Sequence, residues 1–288
     1  FLKPFERPPA MTANPPSELV LLQAHELAER IRLRQVSCRE VMQTYLAHIE
    51  RYNPKVNALV SLQPADSLLA QAEQRDAELA RGDYRGWMHG LPHAIKDLSL
   101  TQGIRTTLGS PLYRDFIPER DGIMVERIKT AGAIIIGKTN TPEWGHGSHS
   151  FNPVFGVTRN PYDLTRTAGG SSGGAAAAVA AGIVAFAHGS DGGGSVRIPA
   201  ASCGLFGFKP TRARLPDGPY VGEGWAGMAI DGFLTRSVRD TARMLDACHG
   251  PDLGAPYAAP PLAKSHADAI SRPPRRLRVA VCDTTLTG

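Results

Sequence analysis

The chain has 288 residues, 42% of them hydrophobic and 20% charged, with a formal net charge of +5 and a pI near 9.1. This is ordinary globular composition, which argues against a disordered chain, and no apolar stretch reaches the roughly 18 residues that a membrane-spanning helix needs. Positive residues are interleaved with negative ones over most of the length, so the basic pI is not a nucleic-acid footprint, and the expectation is a soluble protein with neither nucleic acid nor membrane as partner.

The leading FLKPFERPPA carries too many prolines and charges for the apolar region of a signal peptide. Residues 1–16 are expected to be a disordered or extraneous lead, with Met11 as a candidate natural start, and residues 17–288 a single domain. Ser17 can cap a helix whose apolar positions Leu19, Leu22, Leu27 and Ile31 recur at helical spacing. Ser37-Cys-Arg-Glu40 is a capping-box pattern opening a second helix through Val41, Tyr45, Leu46 and Ile49, which Asn53-Pro54 should stop. Ala65 to Arg81 reads as a third, ended by Gly82. From Gly90 this helical layer gives way to short apolar strands and Gly-rich loops: strands at Leu91 to Asp97 and Ala133 to Gly137, a helix at Asp121 to Thr130, and a helix of small residues from Gly174 to Ala187. Alternating strands and helices predict an α/β sheet. Ser237-Val-Arg-Asp240 caps one more helix, Gly250 to Pro274 reads as a long Pro-rich connection, and Leu277 to Val281 as a further strand. That last strand lacks neighbours, so the chain is expected to be part of a longer protein. The cluster Arg272, Arg275, Arg276 and Arg278 reads as a solvated linker. Cys38, Cys203, Cys248 and Cys282 form no Cys-x-x-Cys pair; free thiols in a reducing cytoplasm are the expectation, with no metal site.

Three short motifs mislead. Gly132-Ala-Ile-Ile-Ile-Gly137-Lys138-Thr139 fits a phosphate-loop pattern, but an apolar β-branched run prefers a buried strand to a loop whose amides curl around an anion. Gly170-Ser171-Ser172-Gly173-Gly174 fits a G-x-S-x-G nucleophile elbow without the buried strand that must precede one. His146 and His149 form a His-x-x-His in a Gly/Ser loop, read as a polar loop because no further ligands are evident.

Three other segments carry chemistry. Gly90-Leu-Pro-His-Ala-Ile-Lys96-Asp97 puts a lysine at the end of an apolar strand, where lost hydration favours the neutral amine and hence a base near neutral pH; pairing with a carboxylate is the alternative. Gly169-Gly170-Ser171-Ser172-Gly173-Gly174 is either a flexible linker or two hydroxyls held at a helix N-terminus, where negative charge is stabilised. In Ser190-Asp191-Gly192-Gly193-Gly194-Ser195-Val196-Arg197-Ile198-Pro199, three glycines before a serine let backbone N–H groups converge as an oxyanion hole requires, unless the run is merely a turn.

In this order, with the wording GGSSGGAAAAVAAG, DGGGSVRIPAASCGLFGFKPTR and AGAIIIGKTNTPEWG, the segments resemble the amidase signature family. The resemblance runs from about Ser17 to the end of the chain. It implies a mixed β-sheet core covered by helices on both faces with an N-terminal helical layer. It makes Lys96 the base, Ser171 a proton relay behind a cis peptide bond, and Ser195 the acylated nucleophile. Gly192, Gly193 and Gly194, with Ser195, would supply the oxyanion hole, and Ser172, Asp191 and Arg197 would support the loops. Members of the family are usually much longer, and many carry a larger residue where this chain has Gly192.

The implied activity is hydrolysis of carboxamides, with esters or carbamates as related substrates, without cofactor or metal. Ile198 favours a stand-alone hydrolase over the tRNA-dependent amidotransferases, in which Gln follows the arginine and a partner protein receives ammonia. A non-catalytic scaffold is the third reading. A small-molecule amide is the expected partner, and a homodimer is left open.

Overall fold

The structure, a computed structural model, describes residues 15–281. The N-terminal layer comprises α1 (Glu18–Leu21), α2 (Ala24–Arg32), α3 (Cys38–Val56) and α4 (Ala65–Ala80). The α/β part follows with β1 (Pro92–Lys96), α5 (Ile123–Thr130) and β2 (Ile134–Thr139). Two small hairpins pair β3 (Phe151–Asn152) with β4 (Gly156–Val157) and β5 (Arg159–Asn160) with β6 (Asp163–Thr167). Then come α6 (Gly173–Ala180), β7 (Phe186–Asp191), α7 (Arg197–Ser202), β8 (Phe206–Phe208), β9 (Ile230–Thr235), α8 (Val238–Cys248) and α9 (His266–Ile270).

Five strands form one mixed sheet in the order β2-β1-β7-β9-β8. β1 runs parallel to β2 and β7, while β9 is antiparallel to β7 and β8. Every residue of β1 and β2 is buried, so side chains on both faces of these strands are covered, as in strands packed on both sides. α6 lies against β1, β2, β7 and β9. Its Gly/Ala composition has a direct cause: a Cβ on Gly174 would fall 2.2 Å from the backbone N of Asn140, and the Gly174 N–H donates to the Asn140 carbonyl at 3.1 Å. Only a helix without side-chain bulk on that turn can sit so close to the strand end.

Several sequence expectations are corrected by the structure. The first predicted helix is two helices, α1 and α2. The guanidinium of Arg236 takes the Val20 and Leu22 carbonyls, and the buried Asp240 carboxylate accepts the Ala24 and His25 N–H groups at 3.3 and 2.8 Å, together with His25 Nδ1 at 2.8 Å. Partners more than two hundred residues away thus take over the backbone groups at the break. α3 passes Asn53 and ends at Val56 with Pro54 in its last turn, because left-handed Asn57 (φ 49°) closes it and Asn53 Oδ1 accepts the Ala58 and Leu59 N–H groups. The small-residue helix stops at Ala180 rather than Ala187: Gly182 (φ 75°) turns the chain, and Phe186 onward pairs with β9. Leu277 to Val281 is not a strand; it is exposed, with no ladder partner among the described residues. The long connection before it holds the short α9, capped by Ser265. Residues 1–14 of the lead and Cys282 lie outside the described residues. Pro15 and Pro16 are exposed without regular structure.

Because Asp240 is buried and fixes the start of α2, Asp240→Ala should lower the unfolding free energy by about 2 kcal/mol, with an unchanged urea m-value. Equilibrium urea denaturation checks it; a loss below about 0.5 kcal/mol contradicts it.

Candidate active site

Lys96 is the last residue of β1, with β2 on one side and β7 on the other, and it is fully buried. Its Nζ donates to Ser171 Oγ at 2.7 Å and to Ser190 Oγ at 3.0 Å, with the Ser190 carbonyl at 3.4 Å. All three partners are neutral oxygens, so among the described residues the lysine is not hydrogen-bonded to a carboxylate. Burial pushes the Lys96 ammonium down to about 7, against a weaker opposing pull from the Asp231 and Asp191 carboxylates.

Ser171 and Ser172 stand at the N-terminal end of α6, and the Gly170–Ser171 peptide bond is cis. Ser171 is 2% exposed and Ser172 is fully buried. Gly170 has no room for a side chain, since a Cβ there would lie 2.6 Å from the His149 backbone. Ser150 Oγ accepts the Gly173 N–H at 2.9 Å and lies 3.2 Å from both the Gly169 and Ser171 carbonyls, so one hydroxyl stitches the turn together. Ser172 Oγ ties the turn to β7, donating to the Ser190 carbonyl at 3.2 Å and accepting the Ser190 N–H at 3.3 Å.

The glycine run leaves β7 at Asp191, whose buried carboxylate organises it. Asp191 accepts the N–H groups of Gly194, Val196 and Arg197 at 2.8, 3.1 and 3.3 Å, and a two-point bond from the Arg197 guanidinium at 2.9 and 2.8 Å. Burial alone would raise this carboxyl; the guanidinium and backbone donors outweigh it and hold it at about 2. The Gly194 N–H is therefore committed to Asp191. Gly194 (φ 117°) adopts the left-handed region that glycine tolerates, packed under Ile198, while the face of Gly193 is open. Ser195 is half-buried, and its carbonyl accepts the Ser172 N–H at 3.1 Å. Its Oγ has no hydrogen-bond partner among the described residues.

The structure thus brings Lys96, Ser171, Ser172 and Asp191 into one connected group, with Ser195 joined to it through the backbone. Sequence reasoning missed several contributors. Ser150 sits in the same loop as the His-x-x-His and carried no motif of its own. Ser190 was visible only as part of a segment. His188, two residues before Ser190, lies with Nδ1 3.4 Å from the Lys96 N and Nε2 3.1 Å from Asp231. Gly145 stands in the sequence only as the last residue of the AGAIIIGKTNTPEWG wording, yet a Cβ on it would lie 3.6 Å from Ser171 Oγ and 2.7 Å from Leu98. Trp225 had no signal at all, and its ring lies where a side chain on Gly192 would go, 2.9 Å from that Cβ position.

The misleading motifs resolve as the sequence suggested. Lys138 and Thr139 lie inside β2, and the fully buried Lys138 Nζ donates to Thr101 Oγ1 at 2.8 Å and to the Ser99 carbonyl. Ser172 follows the mostly exposed hairpin strand β6 rather than a buried one. His146 and His149 are both exposed.

The profile of the family described as Amidase matches residues 40–287. The 6-aminohexanoate-cyclic-dimer hydrolase of Paenarthrobacter ureafaciens is 39% identical over 259 residues, which cover 88% of this chain and 50% of that protein. The acylamidase of Rhodococcus erythropolis is 38% identical over 259 residues, covering 90% of this chain and 54% of that protein. The A-type component of the glutamyl-tRNA(Gln) amidotransferase of Heliobacterium modesticaldum is 39% identical over 260 residues, covering 90% of this chain and 53% of that protein. Among solved structures, a 6-aminohexanoate cyclic dimer hydrolase superposes with a TM-score of 0.83 at 36% identity, over 90% of this chain and 53% of its own. The chain spans about half the length of the curated relatives it matches.

The buried lysine has a consequence for stability. Unfolded, Lys96 keeps its proton up to its ordinary value of 10.5; folded, it gives it up at about 7. Between those values the unfolded state binds more protons, so this residue's contribution to stability rises with pH across that window. Lys138 is shifted the same way, and the Cys38, Cys203 and Cys248 thiols, raised by burial, act oppositely above their ordinary value of 9.0. Comparison with Lys96→Met cancels these other groups. In urea titrations from about pH 7 to about pH 9, the stability of wild type relative to the variant should climb with pH; a flat difference contradicts the shift.

Proposed function

The chain belongs to the amidase signature family, and from that premise we propose that it hydrolyses carboxamide bonds through an acyl-enzyme on Ser195, with Ser171 as relay and Lys96 as base. The observation that carries this reading is the 2.7 Å bond between a fully buried lysine and Ser171 Oγ. An amine pushed down to about 7 is substantially neutral near neutral pH and can take a proton.

In the proposed reaction, Ser195 Oγ attacks the carbonyl carbon as its proton passes to Ser171 Oγ, whose own proton moves to Lys96 Nζ. The carbonyl oxygen becomes an oxyanion facing the backbone N–H groups of Gly192, Gly193 and Ser195. Gly194 shapes the turn instead, because its N–H belongs to Asp191. Each such donor is worth about 3 kcal/mol of transition-state stabilisation. Collapse breaks the C–N bond while the proton returns from Lys96 through Ser171 to the departing nitrogen. Water then attacks the acyl-enzyme over the same relay and releases the acid and free Ser195. Asp191 and Arg197 act by holding the glycine run, and Ser172 by fixing the relay turn to β7.

The substrate proposed is a small-molecule amide, with carbamates and esters as further substrates because they share the tetrahedral intermediate. A stand-alone hydrolase is the reading supported by the hydrolase and acylamidase relatives and by Ile198 after Arg197. The amidotransferase relative supports the second reading, release of ammonia to a partner protein, which predicts glutamine-dependent transfer only when such a partner is added. Among the described residues, no helix is long and apolar enough to cross a membrane.

A fluorophosphonate probe should label Ser195, and labelling should vanish in Ser195→Ala and in Lys96→Ala. Since the lysine must be neutral, kcat/KM for an amide should rise with pH through an apparent pKa near 7. Labelling that survives Lys96→Ala, or a rate independent of pH across that range, contradicts the assignment.

A further inference from the structure

We infer that Trp225 is a specificity-determining wall of this site, against which a planar aromatic or extended apolar substituent of the substrate stacks beside the scissile carbonyl. The inference deepens the amide-hydrolase reading and rests on it. Two independent connections bring the ring to the site. On one side it packs directly on Gly192: a Cβ there would lie 2.9 Å from Trp225 Cε3 and 3.1 Å from Cζ3, so the indole fills the volume a larger residue at 192 would occupy. On the other side its ring centroid is 5.7 Å from that of His146, which follows Gly145, the residue whose Cβ position is 3.6 Å from Ser171 Oγ. The indole therefore spans from the glycine run to the loop that touches the relay serine.

The ring is fixed in place yet left partly uncovered among the described residues. Trp225 and Ala226 adopt left-handed backbone (φ 49° and 50°) in a tight turn closed by Gly227 N–H to the Gly224 carbonyl, Met228 N–H to the Trp225 carbonyl and Ala229 N–H to the Gly224 carbonyl. That turn leads straight into β9, which pairs with β7 along the strand that delivers Ser190 and Asp191. Despite this Trp225 is 53% exposed, and the Cβ position of Gly193, the residue after Gly192, is open. A large aromatic surface held rigidly in water next to an opening gains most when a flat or apolar group covers it, both by burial and by ring stacking. The indole approaches the backbone this closely only because residue 192 has no side chain.

The test measures kcat/KM for acetamide, benzamide and acetanilide with wild type, Trp225→Ala and Trp225→Phe, with thermal unfolding to verify the fold. The two aryl amides carry the ring on opposite sides of the carbonyl, so the side that meets the indole is read at the same time. Trp225→Ala should lower kcat/KM for at least one aryl amide about tenfold more than for acetamide, mainly through KM, and Trp225→Phe should recover most of it. Equal losses for all three substrates, or an unchanged aryl preference, overturn the inference. Fluorophosphonate labelling of the wild type run alongside separates the two levels: an unlabelled wild type defeats the hydrolase reading itself, whereas a labelled wild type with unchanged aryl preference defeats only the role of Trp225.

Discussion

The arrangement depends on one side chain being denied water. Lys96 ends a strand whose neighbours on both sides belong to the core sheet, so among the described residues its ammonium has neither solvent nor a carboxylate hydrogen-bond partner, only the hydroxyls of Ser171 and Ser190 and a carbonyl. Coulomb attraction from Asp231 and Asp191 softens the desolvation without cancelling it. A fold that buries a lysine this way weakens itself below the lysine's ordinary titration range, and what it gains is an amine able to accept a proton near neutral pH.

Everything around that amine holds donors and hydroxyls in fixed places. Ser150 and Ser172 commit their hydrogen bonds to the backbone of the relay turn and of β7, while Asp191 commits five to Gly194, Val196 and Arg197 in the segment that follows. The glycines are used for closeness as much as for freedom: Gly170 and Gly174 admit backbone contacts that any Cβ would block, and Gly192 admits an indole. Buried polar networks of this kind stabilise only when each member is satisfied, which is why the supporting residues outnumber the three proposed to react.

Local chemistry was legible in the sequence. Ser37 and Ser237 cap the helices that their spacing announced, β1 and β2 are the apolar runs that were read as strands, and the phosphate-loop pattern is strand, as β-branched residues at Ile134, Ile135 and Ile136 demanded. Much of what stayed hidden was set at long range. The break between α1 and α2 is made by Arg236 and Asp240, and no local signal foretells it. Phe186 and Ala187, the first residues of β7, read as the tail of an alanine-rich helix until β9, some forty residues on, pairs with them. The three residues proposed to react stand in segments that are distinctive in the sequence and resemble a family, whereas Ser150, His188 and Trp225 matter by where they are brought, and single residues of those types carry no pattern.

The most direct measurement is a titration of the Lys96 side chain itself by ¹³Cε NMR on lysine-labelled protein, its resonance identified by absence from Lys96→Met. A midpoint near 7 is expected. A midpoint at the ordinary lysine value of 10.5 would mean a solvated ammonium that cannot accept a proton from the serines, and the proposed mechanism would fall with it.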